Sequence, residues 1–168
     1  MRVLVVNAGS SSLKHALVEE PGGRVLDAGV ERWDPGGGTP RHGAALRAAL
    51  AGAAADGVDA VGHRVVHGGT RFAGPARIDD AVRAGIAGLV PLAPLHQRAA
   101  LEGVAAVDDA LPGVPQVACF DTAFHHALPP EAATYPIPAG WRDEHGLRRF
   151  GFHGLNVEWC AGRARERL

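Results

Sequence analysis

Apolar and polar positions along the chain predict strands interleaved with helices. The run Val3–Val6 is fully apolar and leads into Asn-Ala-Gly-Ser, a pattern typical of a buried strand that enters a tight turn. Further strands are predicted over 12–19, 24–33, 59–67 and 116–120, and helices over 42–55, 80–89, 96–110, 141–145 and 156–168. Asp79 and Asp80 suit the positive end of the second of these helices. This order of elements indicates a mixed α/β domain.

Glycine and proline separate these elements without marking a second domain. Loops are predicted where the two residue types cluster, at 34–40, 91–94, 112–113 and 129–138. The sequence has no internal repeat and no long linker. The last predicted helix is still running at Leu168, with no Gly or Pro to end it, so we expect this chain to be half of a larger unit.

Composition narrows the possible classes of function. With 168 residues the chain has the length of one domain, and its 46% apolar and 21% charged residues are ordinary for a soluble globular protein. The formal charge of -1 lacks the basic excess typical of nucleic-acid binding, so no nucleic-acid partner is predicted. No apolar run approaches the roughly 18 residues of a membrane span. Two cysteines, Cys119 and Cys160, fit reduced thiols, and we expect a cytoplasmic protein with no membrane partner.

A single lysine, Lys14, stands among seventeen basic residues that are otherwise arginine. It follows the turn at 7–12, whose small residues and backbone N–H groups suit the close approach of a phosphate. In a strand, Ser10, Ser12 and Lys14 share one face, which suits a polyphosphate or its metal. We expect this face to be separate from the face that carries Arg64. A plain Ser/Gly hairpin turn is the alternative.

The strand predicted over 59–67 carries two kinds of candidate residue. Arg64 and Val66 face one way, and an arginine beside an apolar side chain can hold a small carboxylate and accept its alkyl end. A structural ion pair is the alternative for Arg64. His63 and His67 face the other way, and for them we predict core or hydrogen-bonded structural roles.

Two more candidates lie in the second half of the chain. Asp121 directly follows the predicted buried strand 116–120, where α/β sheets usually hold ligands, and a carboxylate there can orient a metal, a water or an attacking oxygen. An aspartate that accepts N–H bonds within its turn is the alternative. His153 lies in a glycine-flanked segment just before a helix, where it could donate to a charged oxygen of a transferring group. A packed or solvent-facing histidine is the alternative there.

Taken together and in order, five segments closely resemble the amino-terminal half of acetate kinase and of its short-chain acyl kinase relatives. They are Asn-Ala-Gly-Ser-Ser-Ser-Leu-Lys at 7–14, Gly-His-Arg-Val-Val-His-Gly-Gly at 62–69, Pro-Leu-His at 94–96, Phe-Asp-Thr-Ala-Phe-His at 120–125 and Gly-Phe-His-Gly at 151–154. The resemblance spans nearly the whole chain, and motifs of this length in this order are highly specific.

The resemblance implies an actin-like, ribonuclease-H-like ATPase domain with a mixed sheet flanked by helices. Residues 1–168 would be the N-terminal domain of a two-domain kinase, and the C-terminal adenosine-binding domain would lie outside this chain. The family transfers the γ-phosphoryl group of ATP reversibly to a small carboxylate with Mg²⁺, giving acyl phosphate and ADP. By the same resemblance we expect the full-length enzyme to be a homodimer and the isolated chain to be inactive.

The resemblance also implies roles for individual residues. Asp121 would be the catalytic carboxylate, and His153 would stabilise the transferring phosphoryl group. Arg64 would bind the carboxylate of the acid and the charge of the transition state. The wall around the alkyl end of the acid would consist of Val66, Leu95 and Phe152. Asn7 would lie beside Mg²⁺, and the residues facing the phosphates would be Ser10, Ser12 and Lys14.

After Gly154 the chain departs from the family pattern. Leu155-Asn156-Val157 stands where acetate kinases commonly show a small hydroxyl residue followed by Ser-His. Propionate or another short acid therefore stays open beside acetate as the substrate. Two other readings stay open as well. One is a non-catalytic domain that binds a small acid or phosphate, and the other is a half that pairs with a separate chain.

Overall fold

The computed structural model describes residues 1–9, 12–32, 44–45 and 57–168. Its strands are β1 (Arg2–Ala8), β2 (Ser12–Glu19), β3 (Arg24–Arg32), β4 (Ala60–Val65), β5 (Ala76–Arg77) and β6 (Gln116–Phe120). They form a six-stranded sheet in the order β3-β2-β1-β4-β6-β5. β1 pairs in parallel with β4, and β4 with β6, whereas the other neighbours are antiparallel. The mixed sheet is confirmed, and β5 is an addition to the prediction.

Helices accompany the sheet in the second half of the chain. They are α1 (Asp80–Gly88), α2 (Pro94–Ala110), α3 (Pro130–Ala133), α4 (Ala139–His145) and α5 (Gly154–Arg165), with 3₁₀ turns at Val90–Leu92 and Ala123–His125. Ala44 and Ala45 are helical, and the rest of the helix predicted over 42–55 lies outside the described residues. None of the described helices is long and apolar enough to cross a membrane.

Several element boundaries differ from the prediction by one to three residues. α2 begins at Pro94 instead of His96, because proline suits the first helical turn, where a missing N–H loses no partner. β4 ends at Val65 instead of His67, whose N–H donates to the side chain of Gln97. α5 ends at Arg165, so the last helix does not run to the final residue. The helix α3 also lies in a segment that was predicted to be irregular.

One face of the sheet packs into the hydrophobic core. Alternate residues of the central strand β1, namely Leu4, Val6 and Ala8, are buried in one cluster with apolar residues of α2. Gly103 of α2 allows this close packing, because a Cβ there would lie 3.2 Å from the Cβ of Ala8. Since side chains alternate along a strand, the same packing turns every other residue of β1 to the opposite face.

A second cluster anchors the end of β6. The rings of Phe72 and Phe120 stack with centroids 4.4 Å apart and lie in the same buried cluster as Ile86 of α1. Asp79 caps α1 by accepting a hydrogen bond from the N–H of Val82 at 2.7 Å, as the aspartate pair predicts. This packing fixes the point at which the chain leaves β6.

The opposite face of the sheet carries the polar candidates. The antiparallel register pairs Lys14 with Asn7 across β2 and β1. The parallel register pairs Val6 with His63, so the next residues along, Asn7 and Arg64, share the other face. Lys14 therefore lies on the same face as Arg64, and the expectation of separate faces was wrong. Alternation within each strand could not reveal this, because it depends on how neighbouring strands pair.

Candidate active site

Arg64 and Asp121 form the central contact of this polar face. Arg64 lies on β4 and Asp121 directly follows β6, so the parallel pairing of these strands brings the side chains together. Nε of Arg64 donates to both carboxylate oxygens, at 3.2 and 3.0 Å, and Nη2 donates to Oδ2 at 2.5 Å. The side chain of Asp121 is 3% exposed and that of Arg64 is 32% exposed. The ion pair considered for Arg64 is thus present, and Asp121 accepts from this arginine.

Asn7 joins the pair from the neighbouring strand β1. Its Oδ1 accepts a hydrogen bond from Nη1 of Arg64 at 3.2 Å. A guanidinium is planar and presents its donors in a fixed fork, so two partners on different sides set its orientation. Arg64 can therefore stay in the ion pair and still turn its outer edge toward an anion.

A cavity of about 370 Å³ opens beside this pair. Its polar part contains Arg64 and Asp121, and the full lining consists of Arg64, Val66, Leu92, Ala93, His96, Asp121, Phe152 and His153. This volume lies at the small end of the range for ligand pockets. The structure thus brings most of the predicted acid-binding and catalytic residues together around one cavity, with polar and apolar groups both present.

Leu95 is the predicted wall residue that does not line this cavity. It lies in the first turn of α2 and is 70% exposed. Successive residues of a helix point about 100° apart, so Leu95 points away while its neighbour His96 faces the cavity. Leu92, from the 3₁₀ turn before α2, lines the wall instead. The sequence marked His96 only as part of a motif, and no spacing signal marked Leu92, because its position depends on that turn.

His153 reaches the cavity from the N-terminus of α5. Its backbone has φ 58° and ψ 22°, a left-handed conformation that is uncommon for a residue with a side chain. The N–H of the next residue, Gly154, donates to the carbonyl oxygen of Asp121 at 2.7 Å. A Cβ on Gly154 would collide with that oxygen, so this position requires glycine. The segment that carries His153 is thereby docked onto the segment that carries Asp121.

The described residues that were predicted to face phosphates lie on β2, two strands away from the strand β4 that carries Arg64. Lys14 is exposed on β2 and pairs in register with Asn7. Ser12 begins the same strand on the same face. The N–H of Gly9 donates to the carbonyl oxygen of Ser12 at 2.7 Å, which closes the base of the hairpin turn. Ser10 lies outside the described residues.

His63 and His67 lie away from the cavity, as predicted. Nε2 of His63 is 2.7 Å from Oε1 of Gln116, and Nε2 of Gln116 donates to Asp108 at 2.6 Å. A carboxylate only accepts, so the amide nitrogen of Gln116 faces Asp108 and its amide oxygen faces His63. Neutral His63 must therefore carry its proton on Nε2 to donate to that oxygen. Burial lowers the pKa of His63 to about 4. Burial also lowers the pKa of His67, so both rings are neutral at neutral pH and serve the structure.

Gln97 is a buried polar residue that the sequence analysis missed. From α2, its Oε1 accepts from the N–H of His67 at 3.3 Å and its Nε2 donates to the carbonyl oxygen of His67 at 3.0 Å. The ring of His67 in turn packs edge-on against Phe152, with centroids 5.5 Å apart. An amide among the buried apolar residues of a helix is the one sequence signal that could have identified it. Gln97 ties α2 to the segment that carries Val66.

A family model and known relatives match this chain. A model of the family described as acetokinase matches residues 44–168. The chain belongs to the acetokinase family. One acetokinase relative is the acetate kinase of Leifsonia xyli subsp. xyli, which is 44% identical over 190 residues, covering 99% of this chain and 48% of the relative. The resemblance found in the sequence motifs is confirmed.

Solved structures of the family have the same fold. The acetate kinase of Porphyromonas gingivalis superposes with a TM-score of 0.86 at 36% identity over 98% of this chain and 48% of that one. A propionate kinase from Francisella tularensis superposes with a TM-score of 0.84 at 31% identity over the same shares. The predicted fold class is confirmed. The chain spans about half the length of the relatives it matches, which fits one domain of a two-domain kinase.

Proposed function

We propose that this chain is part of an enzyme that transfers the γ-phosphoryl group of ATP reversibly to acetate or a related short-chain carboxylate. A carboxylate oxygen attacks the γ-phosphorus, the bond from that phosphorus to the bridging oxygen breaks, and acyl phosphate and ADP form. One observation carries the proposal: the Arg64–Asp121 pair and the apolar side chains of Val66 and Phe152 line one small cavity. Such a cavity suits a ligand with one charged end and one short alkyl end.

Charge repulsion is the main obstacle to this reaction, because the acid and the phosphoryl group are both negative. Arg64 would bind the carboxylate and the charge of the transition state, a role in which an arginine can contribute about 10³–10⁵ in rate. His153, in the same cavity, would donate to an oxygen of the transferring group. Asp121 would act as the catalytic carboxylate that orients the attacking oxygen or the metal, and it also holds Arg64 in place.

Mg²⁺ and the phosphates of ATP would contact Asn7, Asp121 and the residues of the first hairpin. Mg²⁺ prefers oxygen ligands and usually takes one or two protein oxygens beside waters and substrate phosphates. The side-chain oxygens of Asn7 and Asp121 lie near each other, since both accept hydrogen bonds from Arg64. Two protein oxygens at one place fit such an ion. The ion, when bound, would offset phosphate charge. Lys14 would face the phosphates of ATP together with Ser10 and Ser12.

The alkyl end of the acid would contact Val66, Leu92 and Phe152. A methyl group contributes roughly 0.8 kcal/mol on burial, so selectivity among short acids would be modest and mostly steric. Acetate is our first candidate, and propionate is the second. The F. tularensis relative, a propionate kinase, supports keeping both.

The proposal divides the enzyme into two halves. Residues 1–168 would form the N-terminal domain, and the other half of the relatives' length would supply the adenosine-binding domain. The coverage of 48% of each relative supports this division. On this view the isolated chain makes no acyl phosphate, and the complete enzyme is a cytoplasmic homodimer.

Trapping of acyl phosphate as hydroxamate tests the proposal. The full-length protein is supplied with ATP, Mg²⁺ and, in turn, acetate, propionate or butyrate, and we expect turnover with one of the two shorter acids. Val66→Ala enlarges the apolar part of the cavity and should shift preference toward longer acids by roughly tenfold. Val25→Ala is the matched control, because Val25 is an exposed valine on the edge strand β3 and pairs with Val18, four residues along β2 from Lys14.

Each other outcome selects another reading. Binding of acid and nucleotide without turnover would refute the enzyme and support a non-catalytic binding domain. Turnover that appears only when a second purified chain is added would support a half that pairs with a partner. Turnover by residues 1–168 alone would refute the division into two required halves.

A further inference from the structure

His125 lies close to the candidate site and has no part in the proposed function. It ends the 3₁₀ turn Ala123–His125, four residues after Asp121, and it does not line the cavity. Its Nε2 lies 3.1 Å from the carbonyl oxygen of Phe152. A carbonyl oxygen only accepts, so this contact requires the proton of a neutral His125 ring to be on Nε2. The ring therefore acts as a donor to the segment that carries His153.

The peptide bond that receives this hydrogen bond is the one that joins Phe152 to His153. Its orientation is coupled to the backbone angle φ of His153, which is 58°. A residue with a side chain adopts this left-handed conformation only where its surroundings enforce it. His153 begins α5 without a side-chain capping bond of its own, so the enforcing contacts must come from neighbouring residues.

Two further contacts dock the same segment. Gly151 lies directly on the ring of His125, since a Cβ there would be 2.6 Å from Cγ of that ring. The N–H of Gly154 donates to the carbonyl oxygen of Asp121 at 2.7 Å. On the N-terminal side of His153, the ring of His125 contacts Gly151 and the carbonyl oxygen of Phe152. On the C-terminal side, the backbone of Asp121 binds the N–H of Gly154.

We propose that His125 is a positioning residue for His153. By donating from Nε2 to the carbonyl oxygen of Phe152, it holds the peptide between Phe152 and His153 in the orientation that keeps His153 left-handed and its ring at the cavity. The structural part of this inference stands on geometry alone. Its kinetic consequence rests on the proposed function, because only there does His153 have a reaction to assist.

His126 provides a matched control for His125. Its Nε2 lies 3.2 Å from the carbonyl oxygen of Thr70, so it makes the same kind of bond from the adjacent position. Thr70, however, lies in the loop after β4 and does not line the cavity. A variant that lacks this bond therefore shows how much a histidine–carbonyl hydrogen bond in this turn contributes to folding, apart from any effect on His153.

The experiment compares three variants of the full-length protein labelled with ¹⁵N-glycine and ¹⁵N-histidine. His125→Phe keeps a ring beside Gly151 and removes the donor, His125→Gln keeps a donor near the position of Nε2, and His126→Phe is the control. We expect His125→Phe to lose about tenfold in hydrogen-exchange protection of the Gly154 amide, the size expected for one hydrogen bond. His125→Gln should recover most of it, and His126→Phe should lose none.

The kinetic readout separates positioning from general damage. In acyl phosphate formation, His125→Phe should lower kcat by about tenfold to a hundredfold, as small misplacements of a reacting group do, with the KM values for acid and ATP unchanged. His125→Gln should restore most of kcat, and His126→Phe should match the parent protein.

The two hypotheses fail in different ways. If the parent protein forms no acyl phosphate but His125→Phe alone loses Gly154 protection, the proposed function is wrong and the positioning role stands. If the parent is active and His125→Phe matches His126→Phe in both protection and kcat, the positioning role is wrong. A ¹⁵N spectrum that shows neutral His125 protonated on Nδ1 overturns the role in the parent protein itself, whatever the variants do.

Discussion

The guanidinium of Arg64 meets the carboxylate of Asp121 side-on, with Nε 3.0 Å from Oδ2, at the boundary between the buried sheet and the cavity. The carboxylate is almost fully buried and the arginine is about one-third exposed. A buried charge is stable only while it is paired, so Asp121 depends on Arg64 more than the reverse. The exposed side of the guanidinium is the part that can meet a substrate.

Asp121→Asn tests the catalytic carboxylate. The substitution keeps the shape of the side chain and removes its negative charge. If this charge orients the attacking oxygen or the metal, kcat of the full-length enzyme should fall by at least about a thousandfold, on the scale of other essential groups in phosphoryl transfer. Steady-state rates in both reaction directions measure the effect. A variant that keeps more than about a tenth of the parent kcat would leave Asp121 with a structural role only.

Arg64→Lys tests whether the fork of donors matters or only the charge. Lysine keeps the positive charge, but its single ammonium group lacks the planar fork of donors that contacts Asp121 and Asn7 and could hold a carboxylate at two points. The KM for the acid should rise and kcat should fall, nearly as far as in Arg64→Ala. Full recovery of both constants by lysine would contradict the assignment.

Arg64→Ala should also lower stability, because it leaves the Asp121 carboxylate buried without a partner. We expect a loss of about 2 kcal/mol, below the range for a fully buried pair because Arg64 is partly exposed. Urea unfolding measures it. The double variant Arg64→Ala with Asp121→Asn should recover part of this loss, since no buried charge then remains.

Lys14→Ala tests the contact with phosphate. Lys14 is exposed on β2 next to Asn7, one strand farther from Asp121 than Asn7 is. Its loss should raise the KM for ATP by about tenfold, the effect of one charge-assisted contact, and change the KM for the acid little. Lys14→Arg is the control that keeps the charge. A rise in the KM for the acid alone would place Lys14 in the acid site and refute its role with phosphate.

His63 should make the fold sensitive to acid. Burial lowers its pKa from the ordinary 6.5 to about 4 in the folded protein. Between these values the unfolded chain binds more protons than the folded one, so stability is complete above about pH 6.5 and falls as the pH drops toward 4. We expect a loss of about 2 kcal/mol between about pH 7 and pH 5 from this residue.

Unfolding by urea at several pH values measures that slope. His63→Leu removes the titrating group and should flatten the dependence, although the variant is less stable overall because Gln116 loses its partner. His67, whose pKa is also lowered by burial, keeps part of the slope in this variant. An unchanged slope in His63→Leu would mean that other groups cause the acid sensitivity.

The sequence by itself determined every described strand except β5, every described helix except α3, and the motif residues. Val3–Val6 needs no context to predict a buried strand, and Asp79 needs none to predict a helix start, because both signals are local. Motif order identified Arg64, Asp121 and His153 for the same reason: each stands at a fixed place in a short segment. These features depend on residues within a few positions of one another.

Only the tertiary structure decided how these segments meet. Lys14 shares a face with Arg64 because β2, β1 and β4 pair in a particular register, which no single strand encodes. Leu92 lines the cavity where Leu95 was predicted, because a 3₁₀ turn before α2 sets which leucine points inward. The left-handed His153 and its contact through His125 depend on two segments 27 residues apart. Contacts between distant segments follow from packing and strand pairing, which local sequence patterns by themselves do not specify.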